Sequence, residues 1–181
     1  SKKILSTVRP QFPGSYSEEH KHVDRFDHDL IWQLDPVDGT HEFIVGFRNG
    51  FGCNAALLER NTDNDFVPRV GIIYIPMTKE AWYYDGFETC WEIDGIKQKT
   101  PLRTKKSIVG SQRKVDTNPQ LNTIYKQIGI ELGLSVKIQE AGGAAAALAD
   151  LCRGDINLHV FNYDIAKDWD IAMAIPIIEG L

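Results

Sequence analysis

The sequence predicts an α+β protein in two lobes, and three observations carry that expectation. Between residues 51 and 95, short apolar stretches alternate with turn-forming clusters, the pattern of an antiparallel meander. From Ser107 onward, strand-like and helix-like stretches alternate instead. Ahead of both lies one apolar stretch, Leu30–Leu34, that runs into a pair of aspartates. The boundary between lobes is placed at residues 1–104 and 105–181.

In order, Ser1 to about Arg9 reads as the tail of a helix, with Ile4, Leu5 and Val8 on one side, ended by Pro10 and Pro13-Gly14. Ser15–Glu19 is a short extended piece or loop. His20 to Asp29 is polar, and its irregularly spaced His20, His22 and His28 read as solvated rather than metal-bound. Leu30-Ile31-Trp32-Gln33-Leu34 suits a buried strand. Pro36 disfavours helical geometry at Asp35, so the strand is expected to stop there. Gly39 permits a turn and Thr40 is a good N-cap for a short helix to about Phe47. Phe51–Leu58, Val70–Ile75, Glu80–Tyr84 and Cys90–Ile93 follow as strands, with Pro76, Asp85-Gly86 and Asp94-Gly95 between or after them. The aromatics Trp82, Tyr83, Tyr84 and Trp91 suit sheet packing better than a ligand cage. Beyond the boundary come a strand at Ser107–Ser111, a helix over Leu121–Leu132 closed by Gly133, and a strand at Val136–Ile138. An Ala-rich helix over Ala144–Cys152, a strand at Asn157–Phe161 and a final apolar helix over Trp169–Ile178 complete the chain.

Composition narrows the function. The chain has 181 residues, 43% hydrophobic and 25% charged, enough for a proper core. A formal net charge of −5 gives no broad surface for a nucleic-acid polymer. Cys53, Cys90 and Cys152 are widely spaced and form no CxxC pair, which argues against zinc and a disulfide framework and fits a reducing compartment. No apolar run is long enough to span a bilayer, and the first residues lack a secretory core, so the expected location is the cytoplasm, without membrane attachment.

Chemistry concentrates in Leu34-Asp35-Pro36-Val37-Asp38-Gly39-Thr40. Two carboxylates flank the Val37 carbonyl, and such oxygens suit a hard cation such as magnesium. The amides of Gly39 and Thr40 would open a helix N-terminus, a place for phosphate. Asp-Pro-X-Asp-Gly is equally an ordinary turn in which Asp and Gly serve only the backbone. Residues from elsewhere must decide between the two.

Ser17-Glu18-Glu19 precedes this motif, and Lys167-Asp168-Trp169-Asp170 opens the last helix. The three patches in this order, with Phe43 after the hexapeptide, resemble the magnesium-dependent, lithium-sensitive phosphatase superfamily of inositol monophosphatases, fructose-1,6-bisphosphatases and 3′(2′),5′-bisphosphate nucleotidases. The resemblance covers nearly the whole chain and sets the plain-turn reading aside. It implies a layered helix/sheet sandwich of the sugar-phosphatase type and a Mg2+-dependent phosphomonoester hydrolase acting on a small phosphorylated metabolite, with a homodimer as the oligomer it allows. It implies that Glu18, Asp35, the carbonyl of Val37, Asp38 and Asp170 are metal ligands. Asp168 competes with Asp170, but only Asp170 directly follows the Trp. Glu18 also partners the attacking water and Thr40 helps orient it, whereas Glu19 lies further out. Gly39, Thr40, Gly142, Gly143, Ala144 and Lys167 fall on substrate-binding positions.

Glu42-Phe43 and Lys167 are similar to the nucleotidase branch, which implies release of the 3′-phosphate from adenosine 3′,5′-bisphosphate; an inositol-phosphate phosphatase and a non-catalytic fragment of the fold are the rival readings. Ala145-Ala146-Ala147 departs from that branch, where a polar residue and a Lys are expected, and by itself is a plain high-propensity helix. The family's N-terminal helical segment, with an Asp that pairs with the motif Thr, is expected upstream of Ser1, and its closing strands beyond Leu181, so the sequence reads as truncated at both ends.

Overall fold

Strands follow one another across a large sheet in the order they occur in the chain. The structure, a computed structural model, describes residues 14–18, 27–47, 50–100, 107–112, 119–161 and 167–181. The expected helix over residues 1–9, Glu19, and His20 and His22 lie outside them. β1 (Gly14–Ser17) pairs in parallel with β2 (Leu30–Asp38). β3 (Gly52–Arg60), β4 (Phe66–Ile75), β5 (Glu80–Tyr84), β6 (Thr89–Ile93) and β7 (Ile96–Lys97) then add one after another, each antiparallel to the last. The meander read from the turn residues is therefore present. A second sheet has β8 (Ser107–Gln112) between β9 (Ser135–Glu140) and β10 (Leu158–His159), all parallel. The helices are α1 (Thr40–Ile44), α2 (Pro119–Leu132), α3 (Ala144–Arg153), α4 (Asp168–Ile171) and α5 (Ala174–Glu179).

Alternation along the strands decides where the core sits. Ile31, Ala56, Leu58, Ile73, Ile75 and Trp82 present one face of the large sheet, and Ala145, Leu148, Ala149, Cys152, Met173 and Ile177 close over it. Small residues set the spacing: a Cβ on Gly52 would lie 2.6 Å from that of Ala145, so α3 sits directly on the sheet. Trp82 and Trp91 stack at 4.9 Å with 8° between their planes. Both indole N–H groups donate to Glu80 Oε1, at 2.7 and 3.1 Å. These aromatics are packing, not a cage. On the small sheet, the buried ring of Tyr125 from α2 fills the space beside Gly110, and its hydroxyl accepts from the Val160 amide at 2.9 Å.

Several boundaries differ from the sequence expectation: β4 already begins at Phe66 and α1 ends at Ile44, and four further differences have a plain place in the backbone. β2 does not stop at Asp35. A bulge between Asp35 and Asp38 absorbs Pro36, which has no N–H to give, and the ladder resumes at Asp38 opposite Gly52. Thr40 is not the N-cap: that place falls to Gly39, whose φ of 78° only glycine adopts readily, and Thr40 is the first helical residue. The final helix is two pieces, α4 and α5. Pro176 lacks the N–H that an unbroken helix would direct to the carbonyl of Ala172. The strand expected over Asn157–Phe161 narrows to β10, two residues long. Among the described residues no helix is long and apolar enough to cross a membrane.

Candidate functional site

The β2 bulge turns two aspartates toward one place. Asp35 lies on the core face of the strand, in line with Ile31 and Gln33, and the bulge brings Asp38 round beside it. Asp170 arrives from the far end of the chain on α4, which packs against β2 and β3. Its neighbour Trp169 fixes that position by meeting the Tyr16 ring edge-on, with centroids 6.3 Å apart. One oxygen from each of Asp35, Asp38 and Asp170 falls within 4.8 Å of the others. Asp168 is exposed and stands outside the group. Glu18 follows β1, and its amide donates to the Leu34 carbonyl at 3.2 Å, which holds it beside the end of β2. It is exposed, and its charge is felt at Asp35.

Each of the three aspartates is aimed by a backbone amide. The Val37 N–H donates to Asp35 Oδ1 at 3.1 Å, the Ala145 N–H to Asp38 Oδ2 at 2.5 Å, and the Lys167 N–H to Asp170 Oδ2 at 2.7 Å. These bonds orient the carboxylates without neutralising them. Burial pushes the Asp35 carboxyl up to about 8, reinforced by the charges of Asp38 and Glu18. Burial likewise raises Asp38 to about 6, with the amides of Ala145 and Ala144 pulling the other way and Asp170 and Glu42 adding to the rise. No lysine or arginine is paired with Asp35 or Asp38 among the described residues.

The glycines around the site interlock. A Cβ on Gly39 would sit 2.6 Å from the Gly50 carbonyl oxygen, and one on Gly143 would sit 2.6 Å from Asp38 Oδ2. The Gly143 amide donates to the Gly50 carbonyl at 2.6 Å. Gly142, Gly143 and the start of α3 are thus pressed against the Asp38–Gly39 turn, and Asp38 caps α3 through Ala145. The carbonyl of Val37 accepts the Thr40 hydroxyl at 3.0 Å, leaving its second lone pair. Lys167 is exposed at the start of α4.

Sequence reasoning gave three neighbours no place in the site. Cys53 donates its thiol to the Pro36 carbonyl at 3.1 Å, and burial pushes that thiol's pKa up, so it is a poor nucleophile. Glu42 is buried and adds charge beside Asp38. Asn54 pairs with Asp35 across the β2–β3 ladder. The only available signals were the periodicity that turns Asn54 inward and the place of Cys53 in the adjacent strand.

A divalent cation fits this donor set. The oxygens are hard, they come from β2 and from the distant α4, and their mutual repulsion has no resident countercharge at Asp35 or Asp38 among the described residues. Close by, a cleft of 460 Å³ is lined by His41, Glu42, Val45, Phe47, Glu140 and Ala141. It contains none of the three aspartates and carries two carboxylates of its own, which suits a polar neutral group better than an anion.

A family model described as the inositol monophosphatase family matches residues 1–181. The 3′(2′),5′-bisphosphate nucleotidase CysQ of Salmonella typhimurium is 29% identical over 133 residues, covering 69% of this chain and 49% of the relative. The chloroplastic bifunctional phosphatase IMPL2 of Arabidopsis thaliana is 27% identical over 153 residues, covering 84% and 41%. The crystal structure of inositol monophosphatase-II from Staphylococcus aureus superposes with a TM-score of 0.74 over 99% of this chain and 66% of that one, at 19% identity. That likeness shows the layered helix/sheet sandwich that the motif resemblance implies. The chain spans about half the length of the curated relatives it matches.

Proposed function

This chain belongs to the inositol monophosphatase family, and from that premise we propose that it works as a magnesium-dependent phosphomonoester hydrolase. The observation that carries the reading is the convergence of Asp35 and Asp38 from β2 with Asp170 from α4, one oxygen of each within 4.8 Å of the others, a repulsive arrangement that a cation would relieve. Asp35, Asp38 and Asp170 would hold the metal, with Glu18 and the second lone pair of the Val37 carbonyl completing its shell. Bound there, Mg2+ supplies charge neutralisation of a phosphate and a lowered pKa for water.

The chain's own residues do the rest. Glu18, at the solvent edge, accepts the proton of the attacking water. Thr40, whose hydroxyl proton goes to the Val37 carbonyl, offers its oxygen as the acceptor that points that water. The amides at the start of α1 face the leaving phosphate. In this reading the lobes at 1–104 and 105–181 share the work: the first supplies Asp35 and Asp38, the second Asp170 and the contacts to the rest of the substrate.

For the substrate we propose adenosine 3′,5′-bisphosphate, with loss of the 3′-phosphate. The exposed Lys167 beside Asp170 is a point charge for the second phosphate, and the relative named a bisphosphate nucleotidase supports the assignment. One observation favours inositol 1-phosphate instead. Ala145, Ala146 and Ala147 are buried and offer no side chain to read a base. Catalytic efficiencies under saturating magnesium separate the two. The nucleotide is expected to be the better substrate, and Lys167→Ala to shrink its advantage about tenfold, or about 1.4 kcal/mol of differential transition-state binding. A preference for inositol 1-phosphate would leave only the phosphatase class standing.

A further inference from the structure

Two buried amides stand where the strand pattern calls for apolar side chains. Gln33 follows Ile31 on the core face of β2, and Asn54 faces Asp35 across the ladder and Ile73 on its other side. Gln33 is 2% exposed and Asn54 4%. Neither the oxygen nor the nitrogen of either amide has a hydrogen-bond partner among the described residues. Unsatisfied buried amides are a cost to the fold, and protein interiors seldom keep them without a reason. Their place beside Asp35 supplies one. Val37 donates to a single oxygen of that carboxylate, Oδ1, and an ionised carboxylate accepts several donors. An amide can donate to it without bringing a positive charge that would compete with a cation.

We propose that Asn54 and Gln33 hold an ordered water against Asp35, and that Asn54 is thereby a positioning residue for the cation site. The two amides supply the donors and acceptors that a buried water needs, and the water passes a donor on to Asp35. This fixes the carboxylate from its core side, as the Val37 amide does from the loop side. The inference rests on the metal reading of the cluster.

The test uses the protein with Asn54→Leu, Asn54→Ser and Gln33→Met made singly. Thermal stability is measured in chelator, and Mn2+ affinity by titration calorimetry. Asn54→Leu is expected to leave the chelated protein as stable as the parent or more so, yet weaken Mn2+ binding about tenfold or more, the effect of losing a group that orients a ligand. Asn54→Ser, which keeps a donor and leaves room for water, is expected to bind within about twofold of the parent. Gln33→Met should behave like Asn54→Leu and decides the matter if that variant does not fold. Parent-like Mn2+ affinity in the apolar variants overturns the positioning role while the metal reading stands. No Mn2+ binding by the parent removes both.

Discussion

The two ends of α3 meet carboxylates in opposite ways. At its C-terminal end, Arg153 bonds to Glu80 and Asp150, and to Asp155 at 2.7 Å, while Glu80 also takes the indole N–H groups of Trp82 and Trp91. Three carboxylates there surround a cation that the chain itself provides. At the N-terminal end, Asp38 takes an amide of α3 and gathers with Asp35 and Asp170, and no side-chain cation is paired with Asp35 or Asp38 among the described residues. A carboxylate cluster closed by its own guanidinium is structural. One aimed by amides alone keeps its charge for a cation from outside.

The comparison breaks most visibly at the closed end. Arg153→Met should cost about 3 kcal/mol or more of folding stability, because it strands Glu80, only 4% exposed at its side chain, without its countercharge. Denaturant midpoints measure this, and Mn2+ affinity should hardly change. A parallel fall in affinity would mean that the two ends are not independent. Next comes Asp38→Asn at the open end. The amide oxygen can still accept from Ala145, so the fold should persist, and relief of repulsion should leave the chelated protein no less stable. Cation affinity and phosphatase turnover should drop by about 10–100-fold or more. Undiminished turnover would leave Asp38 as nothing more than a helix cap.

pH sharpens the contrast further. Asp35 and Asp38 bind their protons more tightly folded than unfolded, moving from 3.8 to about 8 and about 6 respectively. A raised carboxyl makes the folded state the better proton binder, so stability is fullest at acidic pH and declines as pH rises through that window. In chelator, the urea midpoint should therefore fall from pH 5 to pH 8, and saturating Mg2+ should flatten the slope. A midpoint that rises over this range in chelator would show that the carboxylates are not crowded together.

Periodicity and turn residues made most of the fold legible. The meander from β3 to β6 announces itself through Pro76, Asp85-Gly86 and Asp94-Gly95, and Glu80–Tyr84 matches β5 residue for residue. Boundaries failed where backbone and tertiary effects compete. Pro36 argues for a strand end, yet a bulge accommodates it; Pro176 breaks a helix that its apolar neighbours would continue. The aspartates of the site could be picked out from their motifs, but not the amides that aim them, since Ala145 and Lys167 do so through the backbone N–H that every residue but proline carries. The glycine pair at 142–143 looked like a substrate turn, and its tight packing on Gly39 and Gly50 could not be foreseen from a linear spacing.

The bond from the Ala145 amide to Asp38 joins residues 107 positions apart. Loop closure over such a span is slow and entropically costly, whereas each hairpin of the meander closes locally. Folding should thus order the large sheet early and dock α3 late, so that the aspartates stay hydrated until the last stage. A cation that binds only the finished site would then have little to hold in the transition state. Its mark would be kinetic, slowing unfolding while barely changing the rate of folding, and the lifetime of the native protein would follow the divalent-ion concentration around it.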